Sequence, residues 1–177
     1  LDLIREIKDK IAGIGEVGLD LKEITSEEGN KKQEEKFKKI IELAKEIIKP
    51  LIIHTRKAEQ QVLEILEESK INPEQVILHC FMAKKNIIEE AKNLGYNFTI
   101  PTSVNNSEHF QRMIKTLPLR KLFCETDSPF LHPLKEKNNT PENIIYSYRK
   151  IAEIKEIPLK EVKEEIEKNY ERVFRTV

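Results

Sequence analysis

The 177-residue chain carries 31 Lys and Arg against 31 Asp and Glu, with 38% hydrophobic and 35% charged residues, the profile of a globular chain with densely charged helix surfaces. That length supports one substantial core without requiring two domains, and no apolar run approaches the ~20 residues needed to cross a bilayer, which excludes a helical membrane span. A formal net charge of +0 gives no long-range pull on nucleic acid, so any such binding needs a local basic patch.

The first residue is Leu1, not Met, and no basic stretch followed by an apolar stretch marks a secretory signal, so the chain is expected to be a processed or partial product. The first apolar run, 11–15, closes on Glu16 and is read as a buried strand. Phe37, Ile40, Ile41, Ala44, Ile47 and Ile48 then recur at helical spacing between Gln33 and Lys49, and Pro50 stops that helix. Leu51-Ile52-Ile53 forms the next strand and closes on His54, followed by a helix over about 57–69. Val76-Ile77-Leu78 closes on His79 and leads to a helix over about 85–94; a strand over 96–100 leads to a helix over about 107–117. The strand 121–125 is followed by Asp127, a polar loop from Ser128 to Thr140, and amphipathic helices near 141–156 and 159–175 separated by Pro158. Cys80 and Cys124 are placed in core strands, where a reduced thiol behaves as a small apolar side chain, and a cytoplasmic location is expected.

Strict alternation of strands and helices predicts a parallel α/β fold. An open doubly wound sheet would advertise a glycine-rich turn; Gly13-Ile14-Gly15 lacks the third glycine and a helix start after it, so dinucleotide binding is set aside. A (β/α) barrel of the TIM type is preferred, in which chemistry gathers where the strands end. A full barrel has about 250 residues, so residues 1–177 are expected to form a single partial barrel domain missing its first strand-helix units.

Glu16, His54, His79 and Asp127 all close apolar runs and together make a mixed N/O ligand set suited to zinc, manganese or a related divalent ion. Glycines flank Glu16 and allow close backbone approach. Asp20 is a rival ligand but reads better as a cap on the turn before the next helix. Each histidine needs an acceptor for its other ring nitrogen. Arg56, beside His54, and His132, just past Asp127, are the candidate substrate-binding residues, with a plain loop role as the rival reading of His132. His109 falls in a predicted helix, and the Lys-rich stretches are interrupted by Glu and read as solvated helix faces.

Gly15-Glu16-Val17-Gly18-Leu19-Asp20, Ile53-His54-Thr55-Arg56, Leu78-His79-Cys80-Phe81 and Glu125-Thr126-Asp127-Ser128-Pro129, in that order, resemble the TatD family of metal-dependent deoxyribonucleases. The resemblance spans essentially the whole chain, including the ending Asn169-Tyr170-Glu171-Arg172-Val173-Phe174. It implies a barrel of the metal-dependent hydrolase class that cleaves DNA phosphodiester bonds with one to three divalent ions (Zn, Mn or Mg). It further implies that Glu16 bridges two metals, that His54 and His79 complete the second site, and that Asp127 binds the first metal and helps to activate water. Three departures stand out: the family's His-x-His on the first strand is absent, Leu21 stands where an aromatic is usual, and Asn138-Asn139-Thr140-Pro141 replaces Arg-Asn-x-Pro. Because one fold serves several chemistries, two alternatives remain open. One is a hydrolase of another ester or amide, such as an aminoacyl-tRNA deacylase; the other is an inactive truncated barrel acting as a binding scaffold.

Overall fold

The computed structural model describes residues 1–135 and 138–174; Glu136 and Lys137 of the predicted polar loop, and residue 175 of the predicted last helix, lie outside them. Two compact units make up the chain, one of Leu1–Asn97 together with Val173 and Phe174, the other of Phe98–Arg172.

The first unit runs α1 (Asp2–Glu6), β1 (Ile14–Asp20), α2 (Glu27–Ile47), β2 (Leu51–Arg56), α3 (Glu59–Ser69), β3 (Val76–Leu78) and α4 (Lys85–Asn93). Its strands are parallel: Val17–Asp20 pair in register with Ile53–Arg56, and Leu51–Ile53 with Val76–Leu78. Helix α2 starts where Ser26 Oγ accepts the Gly29 amide at 3.1 Å and Glu27 and Glu28 meet the positive end of the helix dipole. It buries Phe37, Ile41, Leu43 and Ala44 on one stripe and ends at Ile48, whose left-handed φ of 54° releases the chain into Pro50. Along β2 the residues Leu51, Ile53 and Thr55 are buried, so Ile52, His54 and Arg56 point to the opposite face.

The second unit contains β4 (Asn97–Pro101, from Phe98 onward), α5 (Glu108–Thr116), β5 (Leu122–Glu125), α6 (Ile145–Lys155) and α7 (Leu159–Phe174, to Arg172). Strands β4 and β5 are parallel, with Phe98 opposite Leu122 and Pro101 opposite Glu125. Each unit closes a strand entrance with a buried asparagine. Asn97 Nδ2 donates to the carbonyls of Glu74 and Val76, both at 3.0 Å. Asn169 Nδ2 donates to those of Leu119 at 3.0 Å and Leu122 at 2.9 Å. In both places the asparagine bridges a carbonyl of the 3-10 turn before the strand and the carbonyl of the strand's first residue.

Four local readings change. Strand β1 begins at Ile14 and continues to Asp20, so Glu16 is its third residue, not its end; pairing with β2 persists through 20 because Gly18 lets the strands meet closely. Cys80 lies beyond β3: its φ of 41° turns the chain out of the ladder directly after His79. Helix α2 starts at Glu27 instead of Gln33, since its first turns are polar and capped, not apolar. The segment predicted as one helix over 141–156 begins as a 3-10 turn, Pro141–Ile144, and becomes α-helical only at Ile145.

Candidate metal centre

Three of the predicted ligands come together in the first unit. One ligand atom each of Glu16, His54 and His79 lie within 4.8 Å of one another. Glu16 Oε2 is 3.6 Å from His54 Nδ1 and 3.6 Å from His79 Nε2, and the two imidazole centroids are 6.4 Å apart. Strand pairing produces this convergence. His54 is opposite Gly18 in the β1–β2 register, while the His79 amide bonds the Ile53 carbonyl at 2.9 Å and so sets His79 beside β2. Between Ile14 and Val17 the register slips, with three residues of β1 facing two steps of β2, and a bulge of this kind re-aims the side chain it carries, here Glu16. A Cβ on Gly18, whose φ is +154°, would sit 1.9 Å from the His54 carbonyl oxygen, so the close strand contact beneath His54 requires glycine.

These donors fit a divalent ion. Separations of 3.6 Å are too long for hydrogen bonds yet match the roughly 3.4 Å edge of a tetrahedron built from metal–ligand bonds of about 2.0–2.2 Å. Two imidazole nitrogens and a carboxylate oxygen are also the ligand types a zinc-like ion takes. The His79 side chain is 11% exposed and that of Glu16 47%, so the cluster has one buried wall and one open side.

Asp20 caps the turn after β1, as the sequence suggested, and also backs His54 from outside the ligand cluster. Its Oδ1 accepts the amides of Lys22 and Glu23, each at 3.0 Å, and its Oδ2 lies 3.1 Å from His54 Nε2. Gln33 of α2 pins the Asp20 backbone, accepting its amide at 2.9 Å and donating to its carbonyl at 3.3 Å. Partial burial works to raise the Asp20 pKa; the Glu23 amide, then His54 and the Lys22 amide, outweigh it and hold the carboxyl below its ordinary range. Arg56, on the same face of β2 as His54, donates to Glu23 Oε1 at 3.2 Å and lies 3.9 Å from Asp20 Oδ2.

Asp127 and His132 stand on the loop after β5 in the second unit. Asp127 is held at φ 55°, a left-handed conformation uncommon outside glycine, and its carbonyl accepts the Phe130 amide at 2.8 Å. His132 Nδ1 accepts the Leu134 amide at 3.2 Å. The residue that organises this loop is Asn139, which the sequence placed in the Asn138-Asn139-Thr140-Pro141 stretch without giving it a role. It is 4% exposed and donates from Nδ2 to the Thr126 carbonyl at 2.7 Å and to Thr102 Oγ1 at 3.0 Å. Its Oδ1 accepts from the Thr140 amide and Asn143 Nδ2, and its own amide bonds the Pro129 carbonyl at 2.9 Å. Thr102 Oγ1 passes the connection on to the Leu131 carbonyl at 2.8 Å. Burial, then the charge of Glu125, push the Cys124 thiol well up.

The family described as TatD related DNase matches residues 1–175. The chain belongs to the TatD family. It is 36% identical over 174 residues to an uncharacterized metal-dependent hydrolase of Methanocaldococcus jannaschii, covering 98% of this chain and 67% of that protein. It is 37% identical over 176 residues to deoxyribonuclease TATDN3 of Homo sapiens, covering 98% of this chain and 64% of the human protein. Across these two and the mouse relative the chain spans only 59–67% of the relatives' length. A solved TatD homologue from Escherichia coli K12 superposes with a TM-score of 0.86 at 21% identity, covering 99% of this chain and 70% of that one. A TatD family hydrolase from Entamoeba histolytica gives 0.83 at 21% identity, covering 99% and 67%. The expected fold class therefore holds: parallel strands alternating with helices belong to the TatD-type (β/α) barrel. Among the described residues no helix is long and apolar enough to cross a membrane.

Proposed function

We propose that the protein to which this chain belongs is a cytoplasmic, divalent-metal-dependent deoxyribonuclease, with residues 1–177 acting as one catalytic domain. The observation that carries this reading is the Glu16–His54–His79 cluster, whose separations and donor types suit a zinc-like or manganese ion. Family membership and the relative named a deoxyribonuclease support DNA as the substrate. A bound divalent ion supplies acidification of water and neutralisation of charge on phosphate oxygens, and the intact protein would hold up to two or three.

Glu16, His54 and His79 would hold the ion, and the exposed Glu16 side chain leaves the cluster accessible to substrate. Asp127 takes the proton of the attacking water as that water displaces the sugar oxygen at phosphorus. Asn139 keeps the Asp127 loop in shape through the Thr126 and Pro129 carbonyls. Arg56 and His132 contact the substrate phosphates. Cytoplasmic placement fits the reading of Cys80 and Cys124 as reduced thiols.

The test is cleavage of a labelled DNA oligonucleotide with Mn²⁺, Zn²⁺ or Mg²⁺, against an EDTA control, by wild type, Glu16→Gln and Asp127→Asn. Aminoacyl-tRNA and an aryl ester serve as competing substrates. Metal-dependent DNA cleavage that falls about 10²–10⁴-fold in a folded Asp127→Asn protein, with DNA affinity kept, is expected. Undiminished cleavage in EDTA or by folded Glu16→Gln would refute the reading; faster turnover of either competing substrate would reassign it.

A further inference from the structure

A histidine that ligates through Nδ1 must keep that nitrogen free of its proton, and in a neutral imidazole this means that Nε2 carries it. The ring by itself does not enforce that choice, so a neighbour has to. At His54 the neighbour is Asp20. Of the two carboxylate oxygens, Oδ1 is occupied by the Lys22 and Glu23 amides at 3.0 Å each, and Oδ2 faces His54 Nε2 at 3.1 Å. The other ring nitrogen, Nδ1, faces Glu16 Oε2 at 3.6 Å. The carboxylate cannot swing away, because its Oδ1 bonds close the turn after β1 and Gln33 holds the Asp20 backbone from both sides.

We propose that Asp20 is a positioning residue for His54: its Oδ2 fixes the imidazole as the Nε2–H tautomer and so presents the Nδ1 lone pair to the cleft shared with Glu16 and His79. The part of this assignment that concerns metal affinity rests on the metal-binding reading; the part that concerns the ring does not. An ionised carboxylate has only acceptors, so the hydrogen bond at 3.1 Å requires Nε2 to donate. The division of labour between the two oxygens also separates turn closure from ring orientation, and a single substitution can exploit that.

The substitution is Asp20→Asn. Its amide oxygen can keep both backbone N–H bonds at the Oδ1 position, whereas its NH₂ would face His54 Nε2 and demand an acceptor there. The ring should then invert, with Nε2 bare and the proton on Nδ1, pointing at Glu16. A merely structural role in the turn predicts no such change.

Long-range ¹H–¹⁵N spectra of the metal-free full chain at pH 7.5 read the tautomer directly. The expected result is an Nε2–H ring for His54 in wild type, an Nδ1–H ring in Asp20→Asn, and unchanged amide signals of Lys22 and Glu23. Competition titration with Zn²⁺ alone should show about 10–100-fold weaker binding by the variant, the range expected when a partner behind a metal-bound histidine is lost. An Nδ1–H or doubly protonated His54 in wild type, or an unchanged tautomer in a folded Asp20→Asn protein, would overturn the assignment. If His79→Ala and wild type bind Zn²⁺ equally poorly, the metal reading fails instead, and the spectra still decide the role of Asp20. Equal Zn²⁺ affinity of wild type and a tautomer-inverted variant would overturn the claimed effect on ligation.

Discussion

Replacing Asn139 tests how the second unit holds the loop that carries Asp127. Its carboxamide makes two donor bonds, to the Thr126 carbonyl and Thr102 Oγ1, and accepts two more, from Thr140 and Asn143, in a site 4% exposed. Asn139→Ala strands the Thr126 carbonyl and opens a small void; an unpartnered polar group in such a place costs about 1–3 kcal/mol, and with the lost packing about 3 kcal/mol is expected. For a chain of this size that lowers the melting temperature by about 6–12 °C. Asn139→Asp is the sharper probe. At neutral pH its carboxylate can only accept, so it sets a negative charge against the Thr126 carbonyl and should be less stable than the alanine variant. Below about pH 4 the acid is protonated and recovers one donor, so the order should reverse there. Melting curves of the three proteins at pH 7 and pH 3.5, followed by circular dichroism, check this, with hydrogen exchange at 126–131 as a local readout. A drop under about 2 °C for Asn139→Ala, or the same order of the two variants at both pH values, would refute the reasoning.

Two further outcomes follow from features of the first unit. Gly18→Ala places a methyl 1.9 Å from the His54 carbonyl oxygen at a φ of +154°, so strand separation and backbone strain together should cost about 2–5 kcal/mol and weaken Zn²⁺ binding; a denaturation midpoint equal to wild type would contradict this. Burial first, then Glu67 and Glu90, push the Tyr96 phenol up to about 12 from an ordinary value of 10.0. A raised folded-state pKa means that this contribution, on the order of 2–3 kcal/mol, is whole below pH 10 and is lost between about pH 10 and 12. Urea midpoints of wild type should therefore fall more steeply over that interval than those of Tyr96→Phe, and parallel slopes would disprove the assignment.

Much of this architecture could be read along the chain because its signals are local. Apolar triplets before His54 and His79 mark β2 and β3, and Pro50 and the periodic Phe37, Ile41 and Ala44 mark the end and the buried face of α2. What escaped was set by register or by distance. Glu16 sits inside a strand because a bulge, invisible in composition, aims it. Asp20 reaches His54 only because residues 17–20 pair with 53–56, a matter of how two strands 34 residues apart align. Asn139 lies in a stretch rich in polar residues, and its buried partner Thr102 is 37 positions away, so local composition does not show that it is buried while its neighbour Asn138 is exposed. The early start of α2 was legible in Ser26-Glu27-Glu28, a capping signal, but its polar first turns offered no apolar face to count.

The asparagine at the entrance to β5 also bears on the order of assembly. Strands β4 and β5 can pair as soon as both have emerged, yet the Leu119 and Leu122 carbonyls wait for a side chain 50 and 47 residues further on. Closing so wide a loop is slow compared with local pairing, so α7 acts as a late latch on a strand laid down much earlier. Until it docks, those carbonyls depend on water, and the approach to the Asp127 loop should exchange its amides faster than the rest of the second unit.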